Sequence, residues 1–282
     1  VGSEMCIRDS SSASLAIIIP PSIPMIVYAV MSQSSVVQLF VAGIIPGVIG
    51  GFFLMLAAYV TARKKNFPVE ETFNIPNVKK TAKDAALAFL LPVIILGGIF
   101  GGVVTATEGA GLAVVASLLI GFIYKEIDFK RLYESACEGA IQTASVMLLV
   151  AASVLLGEFL TIEQIPQKVA ESIIEFTNNK YAVLGILNIF LLIIGFFLHS
   201  VAAIILTVRI VMPLVNAVGI DPVHFGIIVT LNLAIGQQTP PVASVLVTAC
   251  SVAKADIWDV TRSNISFICA VSYTHLTLPT KA

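Results

Sequence analysis

Charged residues are scarce in this 282-residue chain: Asp, Glu, Lys and Arg together make up 12% of it, and the formal net charge is −1. An ordinary soluble domain carries about a quarter charged residues. The sequence has no basic stripe with interleaved aromatic residues, which argues against a nucleic-acid partner. Its four cysteines, Cys6, Cys137, Cys250 and Cys269, fit neither zinc nor disulfide spacing, so we expect free thiols.

Motifs for nucleotide binding and catalysis are also missing. The sequence contains no glycine-rich phosphate loop with its lysine, and neither an HExxH nor a GxSxG motif. We therefore expect no ATP-driven motor and no enzyme. Instead, 57% of the residues are hydrophobic and the mean hydropathy is +0.98, a composition that predicts an all-α polytopic membrane protein.

Apolar segments alternate with polar connections along the chain. A spanning helix needs about 20 apolar residues, and this length predicts two proline-broken segments, four spans and two shorter arms. The broken segments are 13–33 and 223–253, the spans are near 39–62, 85–104, 109–124 and 139–157, and the arms are 182–198 and 201–215.

The chain divides into regions on this basis. Residues 13–62 are predicted to end a first repeat, 63–84 to form a cytoplasmic loop, and 85–270 to hold further spans and a second repeat. Residues 1–12 and 271–282 are foreign in composition to the spans beside them. We expect those two stretches to lie outside the fold, as translated adapter sequence would.

Loop charges orient the spans. Lysine and arginine concentrate in the connections 63–84 and 125–134, which are therefore predicted to be cytoplasmic. The connections 31–38 and 158–181 lack this excess and are predicted to be outside. Within the second of these, apolar residues at helical spacing predict an interfacial helix.

The two short arms are predicted to make no net crossing. Lys254 and Arg262 mark the end of the second broken segment as cytoplasmic, which requires the chain to enter that segment from outside. We therefore predict a re-entrant hairpin at 182–215 with His199 and Ser200 at its tip. The alternative is that each arm spans the bilayer.

A phrase that occurs twice is the strongest functional signal. The sequence IIPPSIPMIVYA surrounds Pro20 and Pro21, and QQTPPVASVLVTA surrounds Pro240 and Pro241. A proline pair removes two backbone donors and breaks a helix. Paired broken helices that run in opposite directions predict an inverted repeat, with an ion and substrate site at the breaks.

The breaks predict uncharged cages of oxygen atoms, which suit sodium, and helix N-termini, which suit an anion. The structural alternative is that the proline pairs only kink helices for packing. The candidate sodium and substrate residues are Pro20, Pro21 and Ser22 in the first loop, Gly236, Gln237, Gln238, Thr239 and Pro240 in the second, and Asn232 one turn earlier.

Several other polar residues have competing interpretations. His199 and Ser200 are candidate ligands or gates, although a lone histidine is more often simply hydrogen-bonded. Thr107 is predicted to cap the following helix, with Glu108 in its first turn. Arg209 is predicted to lie near the outer surface with its side chain extended to water, and the alternative is that it guides anions.

The chain resembles the large membrane subunit of tripartite ATP-independent periplasmic (TRAP) transporters. The resemblance covers most of residues 15–268 and rests on several motifs that occur in order. These are IIPPSIPMIVYAVMS, LFVAGIIPG, LPVIILGGIFGGVVTATEGA, GIDPVHFGIIVTLNLAIGQQTPPVASVLVTA and ADIWDVTRSNI.

The resemblance implies sodium-driven import of small organic anions, typically carboxylates such as C4-dicarboxylates or sugar acids, across the bacterial inner membrane. It implies a small membrane subunit and a periplasmic binding protein as partners, with sodium as coupling ion and no other cofactor. The loops at 20–22 and 236–241 would lie near sodium and substrate, and His199 would lie at the outer hairpin tip. Alternatives are an ion channel, a secondary transporter that needs no binding protein, or a membrane enzyme.

The chain departs from the family pattern in several places. His199 stands where an acidic residue is frequent, Arg209 where a proline is common, and Gln237 and Gln238 make the second loop more polar. The family's opening helices, its first hairpin and most of its last helix have no counterpart in this sequence. We therefore expect the chain to be a fragment.

The predicted orientation can be tested at Cys137, which follows the basic loop 125–134. In right-side-out vesicles, this thiol should resist a membrane-impermeant reagent that labels a cysteine placed at position 178 in the outer connection. Labelling of Cys137 from outside would overturn the orientation.

Overall fold

The computed structural model describes residues 12–13, 15–65, 75–125, 127–177, 179–239, 243–253 and 261. Lys254, Arg262 and, apart from Ser12, both terminal stretches predicted to be foreign lie outside the described residues. The helices are α1 (Ile23–Ser32), α2 (Val36–Lys65), α3 (Ile75–Phe100), α4 (Ala106–Ile123), α5 (Phe129–Ile162), α6 (Ile165–Phe176), α7 (Lys180–Phe197), α8 (Ser200–Ala217), α9 (Pro222–Gly236) and α10 (Ser244–Ala253).

The predicted all-α, polytopic class is confirmed. The described part of the chain contains helices and no strand, and five of its helices, α2, α4, α5, α7 and α8, are long and apolar enough to cross a membrane. The predicted loop 63–84 is partly helical, because α2 extends to Lys65 and α3 begins at Ile75. Pro76 is tolerated at that start because a first-turn residue needs no helical N–H bond.

The chain forms two compact units, of which one contains residues 62–145. In it, α3 packs against α4 across a short turn. The turn ends in a capping box: Thr105 Oγ1 accepts a 3.3 Å bond from Glu108 N, and Glu108 Oε2 accepts a 2.8 Å bond from Thr105 N. The prediction that Thr107 caps this helix is wrong. The N-cap lies two residues earlier, at Thr105, which has the T-x-x-E spacing that both bonds require.

The other unit contains residues 1–61 and 146–282. Within it, α8 packs against α1, α6 and α9, and α7 packs along α9. The predicted interfacial helix corresponds to α6, which carries its apolar residues at helical spacing. Helices α8 and α9 each contribute more buried apolar residues than any other described helix of this unit.

Segment 15–19, which precedes the first proline pair, lies against a row of glycines on α2. A Cβ atom built on Gly43 would be 2.9 Å from the carbonyl oxygen of Ile18, and one built on Gly47 would be 2.8 Å from Ile19 Cγ1. Gly51, four residues further on, faces Leu15. Small residues at this spacing let a backbone approach a helix closely. The row therefore makes room for the irregular segment.

Helices α7 and α9 run in the same direction. Asn188 in α7 contacts Asn232 in α9, and Gly195, further along α7, contacts Gly236, further along α9. Two parallel helices start at the same side, so α8 must return the chain to the side where α7 began. The geometry therefore agrees with the predicted absence of a net crossing. Because an 18-residue arm is about 27 Å long, two complete spans would give the same result.

Candidate ion and substrate site

The first break is organised by Ser22, which is buried. Its hydroxyl donates to the carbonyl of Ile17 and accepts from the backbone N–H of Met25 at 3.5 Å, so Ser22 caps α1 and also satisfies a carbonyl of the irregular segment. A hydroxyl oxygen has two lone pairs. One of them remains for a ligand, so the predicted binding role and the capping role are compatible.

Pro20 is buried and Pro21 is exposed. The pair is followed by Ser22 and then by α1, which begins at Ile23 with Pro24 in its first turn. Proline fits there because its ring fixes φ near the helical value. The proline pair therefore ends the preceding segment and starts a new half-helix, as the sequence predicts.

The second break begins where α9 ends. The N–H groups of Gln237, Gln238 and Thr239 donate to the carbonyls of Leu233, Ile235 and Gly236 at 3.0 to 3.1 Å, so the last turn tightens. The carbonyl of Gly236 therefore already has a hydrogen-bond partner. Pro240 and Pro241 lie outside the described residues.

Thr239 adds a side-chain bond to this turn. Its hydroxyl donates to the carbonyl of Ile235 at 3.0 Å. The oxygen keeps its lone pairs, because a donating hydroxyl still has acceptor capacity. Thr239 can therefore contribute an oxygen ligand, as predicted.

Gln237 is the most unusual residue of the site. Its side chain is 1% exposed, and among the residues that the structure describes neither Oε1 nor Nε2 has a hydrogen-bond partner. Gln238 is equally buried but does interact with another group. A buried polar group without a partner costs about 1–3 kcal/mol. Such a group is rare in folded proteins and calls for a functional explanation.

The second break rests directly on the first arm of the predicted hairpin. A Cβ atom built on Gly236 would lie 2.6 to 2.8 Å from the backbone of Gly195 in α7, so the two backbones touch. One turn earlier in α9, Asn232 Nδ2 donates to Asn188 Oδ1 at 2.6 Å and to the carbonyl of Ile228 at 3.0 Å. Asn232 therefore joins two helices by an interhelical hydrogen bond.

Asn188 and Gly195 are not among the residues that the sequence pattern predicts for the site. Asn188 is a polar residue inside an apolar run, and its Nδ2 donates to the carbonyl of Leu184 at 2.8 Å, which leaves Oδ1 for Asn232. A lone amide within an apolar arm is a signal for an interhelical bond. Gly195 has a weaker signal, since a glycine in a helix has several possible explanations.

The tip between α7 and α8 holds Leu198 and His199. His199 is exposed and occupies the N-cap position of α8, but its side chain makes no capping bond. Ser200 is 1% exposed and is the first residue of α8. The tip thus presents a helix N-terminus that no side chain caps.

The structure brings some of the predicted residues together. Asn232 and the second loop lie against α7, within a few residues of the tip. The residues that flank the first loop, Ile18, Ile19 and Met25, lie against α2. Helix α1 reaches α9 through Tyr28, whose hydroxyl donates to the carbonyl of Pro222 at 2.7 Å. In the described residues, no cluster of His, Cys, Asp or Glu could hold a metal ion. The available ligands are neutral oxygens, which fit a monovalent hard cation.

The family model described as "Tripartite ATP-independent periplasmic transporter, DctM component" matches residues 9–279. The chain therefore belongs to this family and is a multi-pass protein of the bacterial inner membrane, and the resemblance drawn from its motifs is confirmed.

Named relatives agree with this assignment. The isethionate TRAP transporter permease protein DctMQ of Oleidesulfovibrio alaskensis is 40% identical over 250 residues, 88% of this chain and 39% of that protein. The C4-dicarboxylate TRAP transporter large permease protein DctM of Pseudomonas aeruginosa is 38% identical over 233 residues, 82% of this chain and 55% of that protein. The sialic acid TRAP transporter large permease protein SiaM of Vibrio cholerae is 35% identical over 254 residues, 90% of this chain and 60% of that protein. The chain spans about half the length of the curated relatives it matches.

The contact between Gly195 and Gly236 can be tested by Gly236→Ala. The new Cβ would meet backbone atoms rather than a flexible side chain, so α7 and α9 must separate. We expect a lower melting temperature in detergent, because overpacking of this kind costs roughly 1–3 kcal/mol. Gly185→Ala on α7 is the matched control, since a Cβ there has no atom within 4 Å. Equal melting temperatures for the two variants would show that the helices do not touch as described.

The unpartnered amide predicts an unusual effect for Gln237→Met. In sodium-free buffer this variant should melt at a higher temperature than the parent, because it removes a buried polar group at similar volume. Gln238→Met should not stabilise, because it removes a group that has a partner. A stabilised Gln238→Met variant, or an unchanged Gln237→Met variant, would contradict this interpretation.

Proposed function

We propose that the chain is the permease subunit of a sodium-driven secondary transporter that imports small organic anions. Gln237 carries this proposal: in the loop after α9, its buried amide has no hydrogen-bond partner within the described part of the chain. Such an amide offers an oxygen to a cation and an N–H pair to a carboxylate. Both ends of the side chain would gain partners when sodium and substrate bind together.

The helix ends around the loops support an anionic substrate. Helix α1 starts immediately after Ser22, and α8 starts at Ser200 without a side-chain cap. Each N-terminus carries a partial positive charge, and the start of α8 also has N–H groups that its N-cap side chain does not bond. Charged side chains are absent from the described part of both break loops. A bound anion would therefore depend on helix dipoles and sodium for charge compensation.

The names of the relatives support the substrate class and not a particular substrate. Their printed names specify isethionate, C4-dicarboxylate, sialic acid and 2,3-diketo-L-gulonate. All of these are organic anions, but they differ in size and in the number of hydroxyl groups. The property that they share is the negative charge. This charge suits uncharged loops beside helix N-termini, because those N-termini are partially positive.

The partners follow from the same family. Its description as tripartite and periplasmic supports a periplasmic binding protein and a further membrane component beside this subunit. The binding protein would deliver the anion from outside, and the lipid bilayer would surround the apolar helices. A channel, or a transporter that works without a binding protein, is the competing hypothesis. It predicts anion flux that persists when the binding protein is omitted.

The sodium site is tested by Thr239→Val in the full permease chain, reconstituted with its membrane partner and binding protein. Removal of one ligand oxygen should raise the sodium concentration for half-maximal uptake about tenfold, which corresponds to about 1.4 kcal/mol. Thr230→Val is the matched control, because the hydroxyl of Thr230 bonds the carbonyls of Gly226 and Ile227 earlier in α9. Unchanged sodium dependence in Thr239→Val would exclude this residue from the site.

A further inference from the structure

A cleft of about 430 Å³ lies apart from the two break loops. It is formed by the C-terminal end of α1, the junction of α5 with α6, and the second half of α8. No residue of segments 20–22 or 236–239 lines it. The lining residues that matter here are Gln33, Gly157, Glu158, Thr161, Pro166 and Arg209.

Arg209 packs against α5 beside Gly157. A Cβ atom built on Gly157 would lie 3.4 Å from both Cδ and Nη1 of Arg209, which is van der Waals contact. The stem and guanidinium of Arg209 therefore pack along the α5 backbone. The side chain is exposed, as predicted for one that reaches water, and it lines the cleft.

The guanidinium of Arg209 has no ion pair and no hydrogen bond within the part of the chain that the structure describes. Glu158 lines the same cleft, yet the two side chains are not paired. An arginine in a membrane-embedded helix is expensive and marks a functional site by default. With five donors in a planar fork, it matches a carboxylate or sulfonate group.

The remaining polar groups fit a hydroxyl group on the same ligand. The carboxylate of Glu158 can accept from a hydroxyl, and Gln33 can both donate and accept. Thr161 Oγ1 donates to the carbonyl of Gly157 at 2.7 Å and keeps its lone pairs. The cleft thus has a positive group for an anion and acceptors for hydroxyl hydrogens.

The cleft is lined by residues near two connections that the charge pattern predicts to be outside. Gln33 belongs to the turn after α1, and Thr161 precedes the turn between α5 and α6. The structure brings both to one cleft, which agrees with their placement on the same side. A ligand would therefore enter this cleft from the outer side of the membrane.

We propose that this cleft is an outer binding subsite for a small hydroxylated organic anion, with Arg209 as the residue that contacts its acidic group. The subsite rests on the proposed function, because it would hold the anion before it reaches the break loops. The guanidinium could equally contact a lipid phosphate, which has the same charge and geometry. The test therefore separates these two sources.

The test measures the charge preference of the cleft without transport. Thr161→Cys, in the full chain in phospholipid-free detergent, is modified with the anionic sulfonate reagent MTSES and with the cationic reagent MTSET. The extent of modification is followed by mass spectrometry of the peptide that carries the new cysteine. A positive charge nearby should raise the MTSES to MTSET rate ratio about fivefold relative to the same protein with Arg209→Gln. Arg209→Lys should keep most of the preference.

Isethionate is the competing ligand, because it carries both a sulfonate and a hydroxyl group. It should slow MTSES modification of Thr161→Cys and leave the Arg209→Gln double variant unaffected. Gln33→Cys provides a second position in case Thr161→Cys disturbs the α5 end.

Each outcome decides the proposal. An unchanged rate ratio in Arg209→Gln, or no protection by isethionate at either position, would overturn it. Protection by micelles with phosphatidylglycerol but not by isethionate would identify a lipid site and would also overturn it. In the reconstituted permease, Arg209→Gln should raise the anion concentration for half-maximal uptake without changing the sodium requirement. Loss of sodium dependence in the parent would instead contradict the proposed function.

Discussion

The contact between the backbones of Gly195 and Gly236 holds the candidate site together. It places the last turn of α9 directly on α7, and the bond between Asn188 and Asn232 fixes the two helices one turn away. With side chains at these glycines, the helices would stand further apart and the loop after α9 would lose its neighbour. The same two contacts require α7 and α9 to run in the same direction and α8 to run in the opposite direction.

Irregular backbone in an apolar environment needs both space and hydrogen bonds, and the two breaks meet these needs differently. The first uses a row of glycines on α2 for space and Ser22 for bonding. The second uses a single glycine pair for space, and it bonds its own carbonyls by tightening the last helical turn. The two loops have similar sequences, yet their local chemistry differs.

Much of this arrangement could be read from the sequence. Apolar length located α2, α4 and α5, and the first proline pair located a break, because both effects are local and large. The predicted span 85–104 falls in α3, which is not among the five long apolar helices. The helix start at Thr105 was missed although its capping box is visible, since two threonines compete within three residues. The partner of Asn232 could not be predicted, because a pairing between residues 44 positions apart depends on how the helices cross. Among the described residues, the side-chain amide of Gln237 has no hydrogen-bond partner because several parts of the chain bury it. No local sequence pattern encodes such burial.

The hydrogen bond from Tyr28 to the carbonyl of Pro222 links the two sequence repeats at the start of α9. The tyrosine is fully buried, and its ring lies where a side chain on Gly226 would be: a Cβ there would be 2.5 Å from the ring. A ring held on one face by a glycine and at its tip by a carbonyl has little freedom to rotate. The half-helix α1 and the start of α9 are thereby joined, so a displacement of one half must either carry the other with it or break this hydrogen bond.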